Sequence, residues 1–165
     1  MEYLKKMKGT TQSPPRVAFK EIVWSWVGSL LGIAAVAYLD HRFFEGTDLT
    51  LIIGSFGASA VLIFGATRSP LAQPPNLLGG HTLSALIGVT AYRFLHPCPW
   101  LAAAVAVATA IAVMHATKTL HPPGGATALI AVIGGEKVHN LGYLYVLVPV
   151  LAGATIMLLV ALIVN

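Results

Sequence analysis

Residues 116–127 bring a cation, threonine hydroxyls, an imidazole, two prolines and two glycines into one short stretch between apolar runs. Proline suits the first turn of a helix, where its missing N–H removes no intrahelical bond. A helix that begins at Pro122 and Pro123 directs its free N–H groups and the positive end of its dipole at whatever precedes it. Such a helix start is typical of anion binding.

The residues next to the two prolines fit the same chemistry. Gly124 and Gly125 remove side chains where the helix start meets a ligand. Lys118 supplies a positive charge, and the Thr127 hydroxyl supplies a hydrogen-bond donor. We therefore predict an anion site at this helix start.

Residues 66–82 repeat the order of residue types found at 116–127. Both stretches run from a cation and a hydroxyl through a Pro-Pro pair to paired glycines and a threonine. The match predicts an internal duplication with repeat units of about 49–94 and 101–138. Since two helices separate the copies, both loops are expected on the same, cytoplasmic side, as a parallel repeat.

The duplicated pattern predicts one anion-binding site that draws on both copies. Its predicted residues are Lys118, Arg68, Thr127, Thr82, Gly124, Gly125, Gly79 and Gly80. His121 and His81 are predicted to gate the path or to relay protons, because polar side chains inside a membrane bundle are functional by default. Simpler roles stay open for the cations and for His121. The cations follow the positive-inside rule, and His121 could donate to a helix-end carbonyl.

The composition indicates an integral membrane protein. Of its 165 residues, 56% are hydrophobic and 10% are charged, compared with about a quarter charged in soluble domains. The basic residues bunch before the first apolar run, at Lys5, Lys6, Lys8, Arg16 and Lys20. Residues 1–19 are therefore interpreted as a cytoplasmic arm that could touch anionic lipid, and no nucleic-acid partner is expected. The arm does not resemble a transit peptide, which favours a bacterial (cyanobacterial-type) inner membrane.

Residues 20–165 are predicted to form a single all-α transmembrane domain. Five spans are expected, at about 20–39, 49–67, 77–94, 101–117 and 141–164. Residues 124–134 are too short to cross and predict a half-helix or re-entrant segment, with a distorted complete crossing as the alternative. Small residues on the first span (Gly28, Gly32) and in the second (Gly54, Ser55, Gly57, Ser59) predict close helix packing.

Other classes of function lack their motifs. The histidines show no close i, i+4 pairs and no cysteine or carboxylate at ligand spacing, so no metal site is expected. Paired carboxylates in the interior, a nucleophile elbow and a phosphate loop are also missing, so neither an enzyme nor a cofactor is expected.

Two motifs resemble the HPP family of small integral membrane proteins. They are His121-Pro122-Pro123-Gly124-Gly125-Ala126-Thr127, and Ser69-Pro70-Leu71-Ala72-Gln73-Pro74 followed by Gly79-Gly80-His81. The similarity covers roughly residues 22–164. Members are usually described with about four spans, and plant and cyanobacterial members are linked to nitrite transport. The resemblance implies transport of a small anion, with nitrite the best single substrate.

Two further hypotheses remain beside anion transport. One is a proton-coupled carrier of another small solute. The other is a non-transporting membrane scaffold whose glycine-rich faces serve oligomerisation, since so small a bundle is a candidate for homo-oligomer formation.

Overall fold

Seven α-helices make up most of the computed structural model, which describes residues 16–45 and 51–165. This confirms the predicted all-α class for these residues. The predicted basic arm up to residue 15, with Lys5, Lys6 and Lys8, lies outside the described residues. The helices are α1 (Phe19–Phe44), α2 (Ser55–Gly65), α3 (Pro74–Leu95), α4 (Pro99–Ala116), α5 (Pro122–Ile133), α6 (Gly135–Leu141) and α7 (Ala152–Val164), with a 3-10 turn at Pro70–Ala72 and a π-helical turn at Val146–Leu151.

Three helical segments are long and apolar enough to cross a membrane. They are α1, α4, and the π-helical turn together with α7, which form one segment Val146–Val164. Helix α3 has 22 residues, which is enough length for a crossing. It is less apolar because it carries His81 and Ser84, both of which are buried inside the bundle.

Helices α2 and α5 are only about half as long as a crossing. With 11 and 12 residues they extend about 16 and 18 Å, against about 30 Å of hydrocarbon. The sequence predicts a short helix for α5 but not for α2, where it predicts a span over about 49–67. The residues 51–54 before α2 are not helical, and the Asp40 carboxylate accepts hydrogen bonds from the backbone N–H groups of Leu51 and Ile52.

The two helices that begin at Pro-Pro pairs run parallel and side by side. Gly80 of α3 lies against His121, and further along Gly88 lies against Ala128 of α5. Helix α2 runs antiparallel to α5. We call the end of the bundle where α2 ends and α3 and α5 begin the loop end; it carries loops 66–73 and 117–121. The common side predicted for these loops agrees with this arrangement, and the duplication itself stays a prediction.

Helix α1 packs through its two glycines against the same chain. A Cβ at Gly28 would lie 2.6 Å from Phe64 Cδ1, and one at Gly32 would lie 2.7 Å from Phe64 Cε2. The predicted close approach at this small-residue face therefore occurs between α1 and α2. On the opposite side of α3, alanines Ala102, Ala106 and Ala110 of α4 are fully buried.

Candidate functional site

Five buried polar side chains meet where α2, α3 and α5 come together. They are Ser55 and Ser59 of α2, His81 of α3, His121 directly before α5 and Thr127 within α5, and each is at most 1% exposed. We call these five residues the polar cluster. Polar groups in a membrane interior are costly unless they are hydrogen-bonded, so such a cluster is a candidate functional site.

Ser59 occupies the centre of the polar cluster. Its Oγ lies 2.7 Å from Nε2 of His81 and 2.9 Å from Nε2 of His121. The two imidazole rings are arranged edge to face with centroids 4.9 Å apart. A single hydroxyl therefore connects the two histidines.

Further hydrogen bonds extend this connection on both sides. Nδ1 of His121 lies 2.9 Å from the carbonyl oxygen of Leu71, and Nδ1 of His81 lies 2.7 Å from Thr127 Oγ1. Thr127 Oγ1 is in turn 2.8 Å from Ser55 Oγ. The Tyr145 hydroxyl donates to the Thr127 carbonyl at 3.2 Å. Every buried side-chain nitrogen and oxygen in the described part of the chain has a partner.

Local sequence explains how His121 enters the cluster. A residue before proline is pushed into an extended conformation, and His121 has φ −137° and ψ 102° directly before Pro122. Helix α5 then begins at Pro122, and α3 begins in the same way at Pro74. The two predicted Pro-Pro helix starts are therefore confirmed.

Two of the four predicted glycines, Gly80 and Gly124, lie at the contact between α3 and the start of α5. A Cβ at Gly80 would be 2.6 Å from His121 Cβ, and one at Gly124 would be 2.9 Å from the Gly80 carbonyl oxygen. A Cβ at Gly79 would be 2.7 Å from Thr119 Cγ2, whereas the nearest atom to one at Gly125 is 4.0 Å away. Close packing thus accounts for three of the four glycines, and their role in binding an anion stays a prediction.

Both predicted cations lie on the loops at the loop end. Arg68 and Lys118 are exposed, and they come three residues before Leu71 and His121, which are hydrogen-bonded to each other. The cations therefore lie near the polar cluster in sequence, on the loops at the loop end, without belonging to it.

The structure gathers only part of the predicted site. Thr127, His81 and His121 lie in the polar cluster, whereas Thr82 is half-buried on α3 outside it. The expectation that His121 could donate to a carbonyl also holds, since Leu71 accepts its hydrogen.

Sequence reasoning missed Ser55 and Ser59. Their spacing of four residues places both on one face of α2, but small residues in a membrane helix predict packing. The spacing could have indicated that the two serines share a helix face. Only the histidines that lie opposite Ser59 in the structure show that this face forms hydrogen bonds and does not merely pack. No pattern in the sequence pointed to Leu71 or Tyr145, because Leu71 contributes only a backbone carbonyl and Tyr145 lies between two helices.

Two cavities lie towards opposite ends of the bundle, and neither is lined by the polar cluster. One of about 220 Å³ at the loop end is lined in part by Thr67, Gln73 and Asn165. One of about 60 Å³ at the other end is lined in part by Arg93 and His139. The polar cluster is thus closed to both cavities. Among the residues that the structure describes, no group of three or more histidine, cysteine or carboxylate side chains is placed to hold a metal ion.

Comparison with known proteins identifies the family. The family model described as HPP, transmembrane region, matches residues 14–165. The chain belongs to the HPP family. Two Dictyostelium discoideum proteins, each described as a transmembrane protein, are 48% and 45% identical to the HPP chain over its whole length. No solved structure matches it.

The comparisons also set limits on what is carried over. The HPP chain spans 54% and 59% of the length of these two relatives. Both relatives are from Dictyostelium, so the bacterial origin predicted from the sequence has no support here. The membrane class is supported by the family and by the apolar helices.

Proposed function

We propose that this HPP protein transports a small solute across the membrane, and that the solute is a small monovalent anion, with nitrite the first candidate. The observation that carries the proposal is the polar cluster. Two imidazoles and three hydroxyls are buried in a bundle whose other interior side chains are mostly apolar. Ionisable residues inside membrane bundles mark transport and proton paths far more often than they stabilise a fold.

The two half-length helices support transport over a scaffold role. In many transporters, substrate sites form where helices are interrupted inside the membrane. Ser59 lies six residues before the end of α2, and Thr127 lies six residues after His121, so each is about 9 Å inside its helix end. The scaffold hypothesis relied on free glycine faces, whereas Gly28 and Gly32 pack against Phe64 of the same chain.

The charges at the loop end support an anion as the solute. Arg68 and Lys118 are exposed on loops that meet at the bond between His121 and Leu71. Positive charge at the mouth of a pathway raises the local concentration of anions. The family resemblance makes nitrite the first substrate to test. An anion that enters must displace hydrogen bonds of the polar cluster, so transport requires α2 or α5 to move.

Nitrite uptake into liposomes that contain the purified protein tests this function. We expect uptake above that of protein-free liposomes. The protein-free uptake is subtracted because nitrous acid leaks through lipid. A variant with Arg68→Gln and Lys118→Gly should lower uptake about tenfold. Lys118 has φ 58°, a region that glycine adopts freely, so Lys118→Gly removes the charge without straining the backbone.

The control is Lys137→Gln, which removes an exposed cation from α6 at the opposite end of the bundle. It should leave uptake near the wild-type rate. The proposal is wrong if the wild-type protein moves no anion, or if the doubly neutralised variant keeps wild-type uptake. Flux of an uncharged solute without anion flux supports the alternative carrier.

A further inference from the structure

We propose that the polar cluster is a proton path of fixed direction, in which Ser59 joins two imidazoles and His121 holds the arriving proton. The path runs from Thr127 through His81 and Ser59 to His121. Its three contacts measure 2.7, 2.7 and 2.9 Å in that order. All are short enough for a hydrogen to move between the two partners.

The direction of the path follows from the Leu71 carbonyl. A carbonyl oxygen accepts and never donates, so Nδ1 of His121, 2.9 Å away, carries a hydrogen. When His121 is neutral, its Nε2 is therefore an acceptor. The Ser59 hydroxyl also lies 3.3 Å from the Ser55 carbonyl oxygen, and it donates to the nearer acceptor, Nε2 of His121 at 2.9 Å.

The other hydrogen positions then follow one by one. Since Ser59 has a single hydrogen and donates it to His121, Nε2 of His81 must donate to Ser59. Nδ1 of the neutral His81 ring is left as an acceptor, and it takes the hydrogen of Thr127. Ser55 Oγ is a second acceptor within 2.8 Å of Thr127 Oγ1, so the chain of donated hydrogens begins at Thr127. All the hydrogens of the path thus point from Thr127 towards Leu71, and the two neutral rings carry opposite tautomers.

One added proton reverses the direction of every hydrogen bond in the path and leaves each contact in place. A proton that arrives at Thr127 forms a new O–H bond there and pushes each hydrogen one step along the path. The O–H bond of Thr127 breaks as Nδ1–H of His81 forms, and Nε2–H of His81 breaks as a new O–H bond of Ser59 forms. The original O–H bond of Ser59 breaks as Nε2–H of His121 forms. The products are a His121 imidazolium and a neutral His81, with one extra positive charge and no electron transferred.

The surroundings favour His121 as the residue that holds this proton. Its Nδ1–H bond to Leu71 is kept in both states and is strengthened when the ring is charged. Other titratable groups do not compete. Tyr145 is the other titratable side chain at the cluster, and its hydroxyl donates to the Thr127 carbonyl. Within residues 16–45 and 51–165, no carboxylate, lysine or arginine is hydrogen-bonded to the five side chains.

Release of the proton is linked to the loop that carries Arg68. The imidazolium can lose its Nδ1 hydrogen only after the Leu71 carbonyl moves away, and Leu71 lies in loop 66–73, three residues after Arg68. An anion that binds at Arg68 and shifts this loop frees the proton for release at the same end. This coupling rests on the proposed function, whereas the direction of the path does not.

¹⁵N NMR of the histidine-labelled protein tests the direction. Replacing each histidine by glutamine in turn assigns the signals. At neutral pH we expect hydrogen on Nδ1 of His121 and on Nε2 of His81. Ser59→Ala should release the His81 tautomer while Leu71 still holds hydrogen on Nδ1 of His121, and Ser84→Ala, which removes another buried serine, bonded to Met114 Sδ, should keep both tautomers.

The tautomers measured by NMR test the proton path independently of any transport measurement. The same tautomer in both wild-type rings overturns it, and so does an unchanged pair in Ser59→Ala. Size-exclusion chromatography shows whether Ser59→Ala folds. If it does not, the wild-type tautomers still test the direction of the path, together with Ser59→Thr, which keeps the hydroxyl and should keep the pair of tautomers.

Proteoliposomes with an internal pH dye test the coupling. Proton movement should accompany nitrite entry, and Ser59→Ala should reduce it about a hundredfold, while Ser84→Ala changes it by no more than about twofold. Nitrite entry without proton movement overturns the coupling and leaves the proposed function standing. Proton movement without nitrite entry overturns the proposed function and supports the path.

Discussion

Ser59 and His121 are 62 residues apart in the sequence, and the Ser59 hydroxyl lies 2.9 Å from Nε2 of His121. The serine lies on the short helix before the first loop, and the histidine lies directly before the second short helix. Their contact therefore joins the two short helices inside the bundle. Any motion that opens a path between these helices has to break this bond first.

The paired glycines of α5 are expected to differ sharply in their tolerance of alanine. A Cβ at position 124 would lie 2.8 Å from Ser84 Oγ and 2.9 Å from the Gly80 carbonyl oxygen, whereas the nearest atom at position 125 is 4.0 Å away. Gly124→Ala should therefore cost about 1–3 kcal/mol through overpacking. Gly125→Ala should be neutral or should stabilise α5 by up to about 1 kcal/mol, because alanine favours helices. Thermal unfolding in detergent measures both, and equal melting temperatures would contradict the packing that we describe.

Thr127 and Thr82, the two threonines predicted for the anion site, should differ in their tolerance of valine. Valine has nearly the shape of threonine but lacks the hydroxyl, so Thr127→Val leaves Nδ1 of His81 without its partner at 2.7 Å. A buried unpaired group costs about 1–3 kcal/mol, and solute flux should fall as well. Thr82→Val, outside the polar cluster, should change neither stability nor flux appreciably. Comparable losses in both variants would mean that Thr82 belongs to the site after all.

The contact between α1 and α2 predicts a coupled pair of substitutions. A Cβ at position 32 would lie 2.7 Å from Phe64 Cε2, so Gly32→Ala should cost about 1–3 kcal/mol. Phe64→Leu removes the ring atoms in the way, and the double variant should be more stable than the sum of the single effects by about 0.5–3 kcal/mol.

Unfolding in detergent, measured for the two single variants and the double variant, gives this coupling energy. Gly57→Ala is the matched control, because nothing lies within 4 Å of a Cβ there. Strictly additive effects at Gly32 and Phe64 would show that α1 does not depend on this contact.

Local physics made several features predictable. Hydropathy indicated a helical membrane domain because each apolar residue contributes independently of its partners. The helix starts at Pro74 and Pro122 were predictable because proline restricts its own backbone and that of the residue before it. The shortness of α5 followed from counting apolar residues.

Sequence alone therefore determined the class of protein, the Pro-Pro helix starts and the candidacy of His81, His121 and Thr127. Tertiary structure decided that α2 is a second short helix, that Gly80 and Gly124 serve helix contact, and that Ser59 joins the two histidines. The reason is that a serine or a glycine has the same local signature whether it packs against a neighbour or meets a polar partner. Only the fold, which brings together Ser55 and Thr127 from positions 72 residues apart, distinguishes the two.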